Sequence, residues 1–393
     1  MNYPQIYLKP GKEIAVKRRH LWIFSGAIAR MDADIKDGDI VKVCTHKGAF
    51  LCLGHYQDGS IAIRIIAFEE QAIDQKFWDE KIKQALRLRQ ALGLVNSSET
   101  NVYRLFHAEG DGVPGLIIDI YAQTAVIQAH SIGVYLQIDL IAQALQNCLG
   151  KQINCIYDKS SETLPKKFAA QINNHFLLGE APSTQVQEYG HRFQIDWITG
   201  QKTGFFIDQR ENRALLARYS KGKKVLNTFC YSGGFSVYAL QSGATEIHSV
   251  DISAKAIALT EENIALNPSK GKHEAITADV VKYIREIGDD FDVVILDPPA
   301  FAKSQNARHN AVQGYKRLNA EALKKIKSGG ILFTFSCSQV VDKALFANTI
   351  AAAAIEVGRE IKILHYLSQP GDHPINIYHP ESEYLKGLVL YVS

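Results

Sequence analysis

Val225-Leu-Asn-Thr-Phe-Cys-Tyr-Ser-Gly-Gly234 begins a series of five short apolar segments, each closing on small or polar residues that can reach a ligand. The others are His248-Ser-Val-Asp-Ile-Ser253, Ala275-Ile-Thr-Ala-Asp-Val280, Val293-Val-Ile-Leu-Asp-Pro-Pro-Ala-Phe301 and Ile331-Leu-Phe-Thr-Phe-Ser-Cys-Ser338. The stretches between them read mostly as helices, which predicts parallel strands joined by crossover helices. Open α/β sheets bind ligands beyond the carboxyl ends of their strands, so these chemical signals converge on one crevice.

Working outward, 393 residues with 46% apolar content are too many for one ordinary core and predict two or three domains. Up to about Phe68 the chain reads as short strands and turns, with Asp37-Gly38 a turn and Ile61-Ala-Ile-Arg-Ile-Ile66 a strand. The spacing of Phe77, Ile82, Leu86 and Leu88 predicts a linking helix over 77–92, with Lys81, Lys83, Arg87 and Arg89 as its charged residues. A strand at Val102, the turn Glu109-Gly-Asp-Gly-Val-Pro-Gly115, strands at 116–121 and 125–130, a helix over about 134–147 and a strand at 153–157 make a second, α+β unit. Residues 176–188 read as a connector, a hairpin-like prelude precedes Val225, and the alanine run 351–354 reads as buried helix. The expected domains are 1–72, 73–185 and 186–393.

No run approaches the roughly 18 apolar residues of a membrane span, and the first residues lack an apolar signal core, so a cytoplasmic protein is expected. Cysteines at 44, 52, 148, 155, 230 and 337 show no Cys-x-x-Cys pair, and no histidine cluster has ligand spacing, so neither zinc nor disulfides are expected. A net charge of +3 is too small to announce a nucleic-acid partner. Residues 1–31 nevertheless carry Lys9, Lys12, Lys17, Arg18, Arg19 and Arg30 against Glu13 alone, a local basic patch that a solvated face would also explain.

The turn Cys230-Tyr-Ser-Gly-Gly-Phe235 lacks the G-x-G-x-x-G spacing that seats a diphosphate on a helix N-terminus. That disfavours a dinucleotide and suits S-adenosyl-L-methionine, which has an adenosine and no phosphate. Asp251 is placed for the ribose hydroxyls and Asp279 for the adenine amino group, although either could only cap the next helix. Upstream, Asp208 and Glu211 have capping-box spacing for a helix to about Tyr219, while Arg210, behind Phe205-Phe206, could clamp the methionine carboxylate. Asp297-Pro298-Pro299-Ala300-Phe301 supplies carbonyls and a carboxylate to a base, with Phe301 as a stacking face. Cys337, past the fifth apolar stretch, could attack C6 of a pyrimidine and make C5 nucleophilic toward a methyl group.

Gln201-Lys-Thr-Gly-Phe-Phe-Ile-Asp-Gln-Arg210, Asp297-Pro-Pro-Ala-Phe-Ala-Lys303, Ser336-Cys-Ser338 and Gln369-Pro-Gly-Asp-His-Pro374 together resemble the bacterial 23S ribosomal RNA large-subunit methyltransferase I family. Arg18-Arg-His-Leu-Trp-Ile-Phe-Ser-Gly26 and Asp37-Gly-Asp-Ile-Val41 resemble its PUA RNA-binding module, and Glu109-Gly-Asp-Gly-Val-Pro-Gly-Leu116 its central domain. The resemblance implies a Rossmann-like methyltransferase domain, its sheet mostly parallel with an antiparallel last strand, after a PUA-like and a central α+β domain. It implies 5-methylcytosine formation from S-adenosyl-L-methionine in 23S ribosomal RNA or a large-subunit precursor. Cys337 would be the nucleophile and Asp297 would hold the cytosine edge, with Pro298, Pro299 and Phe301 against the base. The cofactor would meet Phe206, Asp208, Arg210, Asn227, Phe229, Tyr231, Ser232, Gly233, Asp251, Ser253, Asp279, Val280 and Asp297. Lys17, Arg18, Arg19, His20 and Trp22 are the RNA-binding candidates, although Trp22 could equally be module core. The fourth-strand motif has no cysteine, as in this family and unlike other RNA cytosine-5 methyltransferases. No base for the C5 proton stands out, and a homodimer stays open. Two rivals stand beside this reading: methylation of an exocyclic amine, guanine N2 or adenine N6, without a covalent intermediate, and a non-catalytic RNA-binding assembly factor.

Overall fold

The computed structural model describes residues 3–180, 184–302 and 304–393. Lys303 of the fourth-strand motif and residues 181–183 of the expected connector lie outside them. The chain forms two compact units: Met1–Gln187 with Asp196–Phe205 and Gly371–Ser382, and Glu188–Ile195 with Phe206–Pro370 and Glu383–Ser393. Among the described residues no helix is long and apolar enough to cross a membrane.

The first unit contains a six-stranded sheet in the order Trp22–Phe24, Ile61–Ala67, Phe50–Tyr56, Ile40–Cys44, Gln5–Leu8, Ile28–Met31. Alternate residues of its strands, such as Ile6, Leu8, Val41 and Val43, fill its core. The linking helix runs Gln75–Ala91, capped by Asp74, whose carboxylate accepts from the Phe77 N–H. Its buried face is not the expected one throughout. Arg89 is buried, donating to both Asp111 oxygens at 2.6 and 2.8 Å and to the Asp372 carbonyl at 2.6 Å, while Leu88 beside it is half-buried.

A five-stranded sheet follows in the order His175–Leu178, Cys155–Asp158, Thr124–Ala129, Leu116–Tyr121, Val102–His107. Its helical segment divides into Ile132–Tyr135 and Ile138–Leu149 rather than running as one helix. The connector expected over 176–188 is corrected as well. His175–Leu178 pairs antiparallel with Cys155–Asp158, and Gln185–Glu188 forms a two-stranded ribbon with His191–Gln194. His175 and Phe176 are exposed on that edge strand, so it carried no buried-strand pattern.

The second unit contains a seven-stranded sheet built from β1 (Lys224–Thr228), β2 (Glu246–Asp251), β3 (Lys272–Thr277), β4 (Phe291–Leu296), β5 (Ile326–Ser336), β6 (Ile361–Ser368) and β7 (Lys386–Val392). Their order is β3-β2-β1-β4-β5-β7-β6, and β7 runs antiparallel to both its neighbours, as the resemblance implies. Both faces are covered, so successive residues pack into different cores: Leu226, Val294 and Leu332 to one side, Val225, Val293 and Phe333 to the other. The helices are α1 (Arg210–Ser220), α2 (Gly234–Gln241), α3 (Ala254–Ala265), α4 (Val280–Glu286), α5 (Arg308–Lys325) and α6 (Lys343–Val357). In α6 only Ala353 and Ala354 of the alanine run are buried, whereas Ala351 faces solvent.

A buried ion pair fixes the start of α1. The Arg213 guanidinium donates to both Glu188 oxygens at 2.9 and 2.8 Å and to the Phe206 carbonyl at 3.0 Å, while the Tyr238 hydroxyl donates to Glu188 at 3.0 Å. Removing one partner of such a pair strands the other charge in the interior. Arg213→Met is therefore expected to destabilise this unit by about 3–5 kcal/mol, and Arg213→Met with Glu188→Leu to recover much of the loss. Urea unfolding followed by far-ultraviolet circular dichroism checks it, and equal midpoints for the single variant and the wild type contradict it.

Candidate active site

The order of the sheet reverses between β1 and β4, and the crevice at their carboxyl ends collects most of the candidates. After β1 the chain turns through three left-handed residues, Phe229 (φ 55°), Tyr231 (φ 47°) and Gly233 (φ 73°). Two of these are not glycine, a strained backbone of the kind that concentrates at functional sites. Gly233 is required twice over, because a Cβ there would also lie 2.6 Å from Thr260 Cγ2. The Tyr231 N–H donates to Asp251 Oδ2 at 3.1 Å and the Ser253 N–H to Asp251 Oδ1 at 2.9 Å. Asp251 is thereby held at the end of β2 with acceptor capacity left over for a diol.

Several other candidates have structural partners. Ser253 caps α3 by accepting from the Ala256 N–H, and Asp279 caps α4 by accepting from the Lys282 N–H. Asp279 remains exposed beside the buried Val280. Asn227 is buried, its amide donating to Ser236 Oγ at 2.8 Å, and Ser232 is buried as well. The capping box expected from Asp208 and Glu211 does not form. Asp208 lies in a short 3-10 turn over Ile207–Gln209, and its Oδ2 accepts from the Tyr384 hydroxyl at 2.7 Å. Its Oδ1 is buried with no hydrogen-bond partner among the described residues. Phe206 packs edge-on against Tyr231, with ring centroids 5.1 Å apart. Arg210 is buried with its Nε 3.3 Å from Glu211 and its guanidinium 5.9 Å from the Tyr189 ring centre.

Asp297 follows β4, and Gln209 Nε2 donates to its Oδ2 at 3.1 Å. Burial and then the nearby Asp208 charge push its carboxyl up to about 7, against the opposing pull of Gln209 and Arg213. Cys337 follows β5, half-exposed, as expected of a residue at the ligand edge. Burial, then Asp297, then Asp208 raise its thiol to about 11, while Lys386 and its own backbone N–H act the other way. Cys44, Cys52, Cys155 and Cys230 are buried and Cys148 is half-buried. Ser338 ties the two strand ends together: its Oγ accepts from the Ala302 N–H at 3.3 Å and lies 3.2 Å from the Tyr315 hydroxyl. Pro298 is buried and Pro299 exposed. Phe301 is 37% exposed, with one side packed on Tyr315 at 4.6 Å between centroids, so a ring face remains for a base.

Gln209, Tyr384 and Lys386 belong to this site and were not singled out from sequence. Gln209 sat unread between Asp208 and Arg210, and the lysine inside the apolar run Tyr384-Leu-Lys-Gly-Leu-Val-Leu390 was a visible anomaly.

The basic candidates lie in the other unit. Lys17 and Arg18 are exposed, and Lys17 is 3.8 Å from Glu13. Arg19 adopts φ 65° with its guanidinium 4.7 Å from the Phe68 ring centre. An open cavity of about 940 Å³ is lined there by Arg19, Phe68, Lys76, Lys81 and Tyr378, among others. Trp22 is half-buried against His379 and donates from Nε1 to Glu109 at 3.0 Å, while His20 Nε2 lies 3.4 Å from Glu381. Among the described residues two groups of side chains, His20 with His379 and Glu381, and Glu246 with His248 and Glu274, approach closely enough to hold a metal ion. Linear spacing did not show them.

Comparison with known proteins agrees with this architecture. Residues 6–68 match the model of a PUA-like domain, and residues 157–386 that of an S-adenosylmethionine-dependent methyltransferase. The chain is 41% identical to Ribosomal RNA large subunit methyltransferase I of Aeromonas hydrophila over 98% of both chains. It is 39% identical to the protein of that name from Shewanella amazonensis over 99% of both. A putative S-adenosylmethionine-dependent methyltransferase of Streptococcus mutans shares the fold with a TM-score of 0.84, at 22% identity, over 98% of this chain and 99% of that one.

Carboxylate repulsion on the thiol has a measurable signature. Iodoacetamide alkylation of Cys337 is expected to keep rising with pH toward about 11, and Asp297→Asn should move the profile to lower pH. Peptide mass spectrometry measures this, and superimposable profiles contradict it.

Proposed function

Because the chain belongs to the ribosomal RNA large subunit methyltransferase I family, we propose that it methylates C5 of a cytosine in 23S ribosomal RNA, through a bond between Cys337 Sγ and C6. The observation that carries this reading is a half-exposed thiol just after β5, the parallel neighbour of the strand that Asp297 follows, with the Asp297 charge acting on that thiol. The crevice fits S-adenosylmethionine. The unpartnered Asp208 Oδ1 suits a cationic or N–H-bearing group, and Asp251 with the close-approach turn at Gly233 suits an adenosine. That molecule supplies the methyl group when bound.

This chain's residues then have distinct tasks. With a carboxyl near 7, Asp297 carries a proton about half the time at neutral pH and can donate it to cytosine N3, which makes C6 electrophilic. The Cys337 thiolate adds to C6, and the electron pair displaced to C5 takes the methyl group. Loss of the C5 proton to a base then expels the thiolate and restores the C5–C6 double bond, and N3 returns its proton to the Asp297 carboxylate. The target base has to leave its stack to enter the crevice, at a cost of a few kcal/mol. Phe301 is placed to offset part of that by stacking.

Methylation of an exocyclic amine remains the second reading. The thiol held near 11 favours it, because a neutral Cys337 would then be a bystander. The two part on covalency. Cys337→Ala is expected to abolish transfer while leaving S-adenosylmethionine affinity nearly intact, and Asp297→Asn to cost about 10²- to 10⁴-fold. RNA carrying 5-fluorocytosine should trap an adduct at Cys337. Full activity of Cys337→Ala, or no adduct with the fluorinated RNA, selects the amine route.

We further assign RNA binding to the module of residues 1–72, through the exposed Lys17 and Arg18 and the Arg19 side chain over Phe68. Reversing the three to Glu should weaken RNA binding and flatten its dependence on log salt by about 0.7–0.9 for every phosphate no longer neutralised. An unchanged slope removes these residues from the interface.

A further inference from the structure

This inference rests on the reading of Cys337 as nucleophile and concerns what allows its thiol to ionise. The surroundings of Cys337 are hostile to a thiolate, since the site is partly desolvated and two carboxylates, Asp297 and Asp208, act on it. Among the described residues that act on the thiol, the cation is Lys386. It is the first residue of β7, 6% exposed, in register with Ser336 across the antiparallel β5–β7 pair. Its Nζ donates to the Ser338 carbonyl at 2.7 Å, which satisfies one of three N–H groups. A lysine buried to this degree is costly unless its charge is used or matched. Its other charged neighbours, Glu383, Asp342 and Lys343, are of mixed sign and partly cancel.

We propose that Lys386 is the counter-cation of the Cys337 thiolate, a positioning residue that acts through the sulfur and does not itself touch the nucleobase. When Cys337 ionises, its proton passes to solvent and the ammonium keeps its own three. The same charge then offsets the negative sulfur a second time, when the thiolate is expelled from C6. The anchor is the backbone of the residue after Cys337, so the ammonium follows the turn that carries the nucleophile. Ser338 also takes the Ala302 N–H, and the ammonium, the thiol turn and the Asp297 loop are therefore one connected piece.

Burial lowers the lysine to about 8, and the Cys337 charge opposes that shift. The two groups titrate as a pair, and support for the thiolate fades as pH rises above about 8.

Alkylation of Cys337 by iodoacetamide, followed against pH in the full chain, tests the pairing directly. At pH 7.5, Lys386→Met is expected to alkylate about tenfold more slowly than wild type, the size of a one-unit rise in thiol pKa. Its kcat should fall by a similar factor at unchanged KM for S-adenosylmethionine. Lys386→Arg, which keeps a charge that does not titrate, should restore the rate to within about threefold and remove any bend near pH 8. A Lys386→Met profile that superimposes on wild type overturns the proposal. Should that variant not fold, a bend near pH 8 that survives in Lys386→Arg overturns it equally. Alkylation reads the sulfur without methyl transfer, so the two readings fail separately. Activity in Cys337→Ala sinks the nucleophile, whereas an unmoved alkylation profile sinks only the role of Lys386.

Discussion

The crevice places two carboxylates and a thiol together in half-buried surroundings, and like charges under those conditions cannot all be ionised cheaply. Much of the surrounding structure answers that constraint. Gln209 donates to Asp297, Tyr384 donates to Asp208, and the Lys386 ammonium is tethered beside Cys337. The Arg213 guanidinium, fixed by Glu188, lies close enough to lower the Asp297 carboxyl as well. A sulfonium cation entering such a site would relieve the repulsion that the protein alone has to bear. The same burial and the same Asp208 charge that raise the Asp297 carboxyl to about 7 therefore suit a positively charged cosubstrate.

What could be read from sequence was what is local. The five strand ends were legible because each couples an apolar run to a change of composition at its carboxyl end, and all but β3, an edge strand with no fully buried residue, are buried on both faces. The roles of individual acids were less so, since Asp208 has the spacing of a helix cap but spends its carboxylate on Tyr384, 176 residues away. Arg89 falls among exposed charges by helical periodicity, yet Asp111 and Asp372 draw it inside. Edge strands such as His175–Leu178, with exposed side chains and one neighbour, have no pattern to betray them. In each case the missing information was a partner distant along the chain.

Motifs quoted for their resemblance also prove to have structural roles. Asp372 of Gln369-Pro-Gly-Asp-His-Pro374 accepts from the Arg104 N–H at 3.0 Å, inside the first unit. Gln369, in the second, accepts from the N–H groups of Tyr384 and Leu385 at 3.1 and 3.3 Å, and so aligns the entry to the strand that carries Lys386. A recurring sequence pattern can thus mark scaffolding close to the chemistry as well as the chemistry itself.

The topology of β7 has a consequence for biosynthesis. It is the last of the seven strands to be made, yet it sits between β5 and β6, and the segment that enters it brings both Tyr384 and Lys386 to their places. Until a ribosome has released residues 386–392, β5 presents an unpaired edge and β6 has no neighbour in the sheet. This group of side chains consequently cannot assemble during translation of the earlier strands, and a nascent chain stalled short of this point would display sticky strand edges instead of a completed crevice.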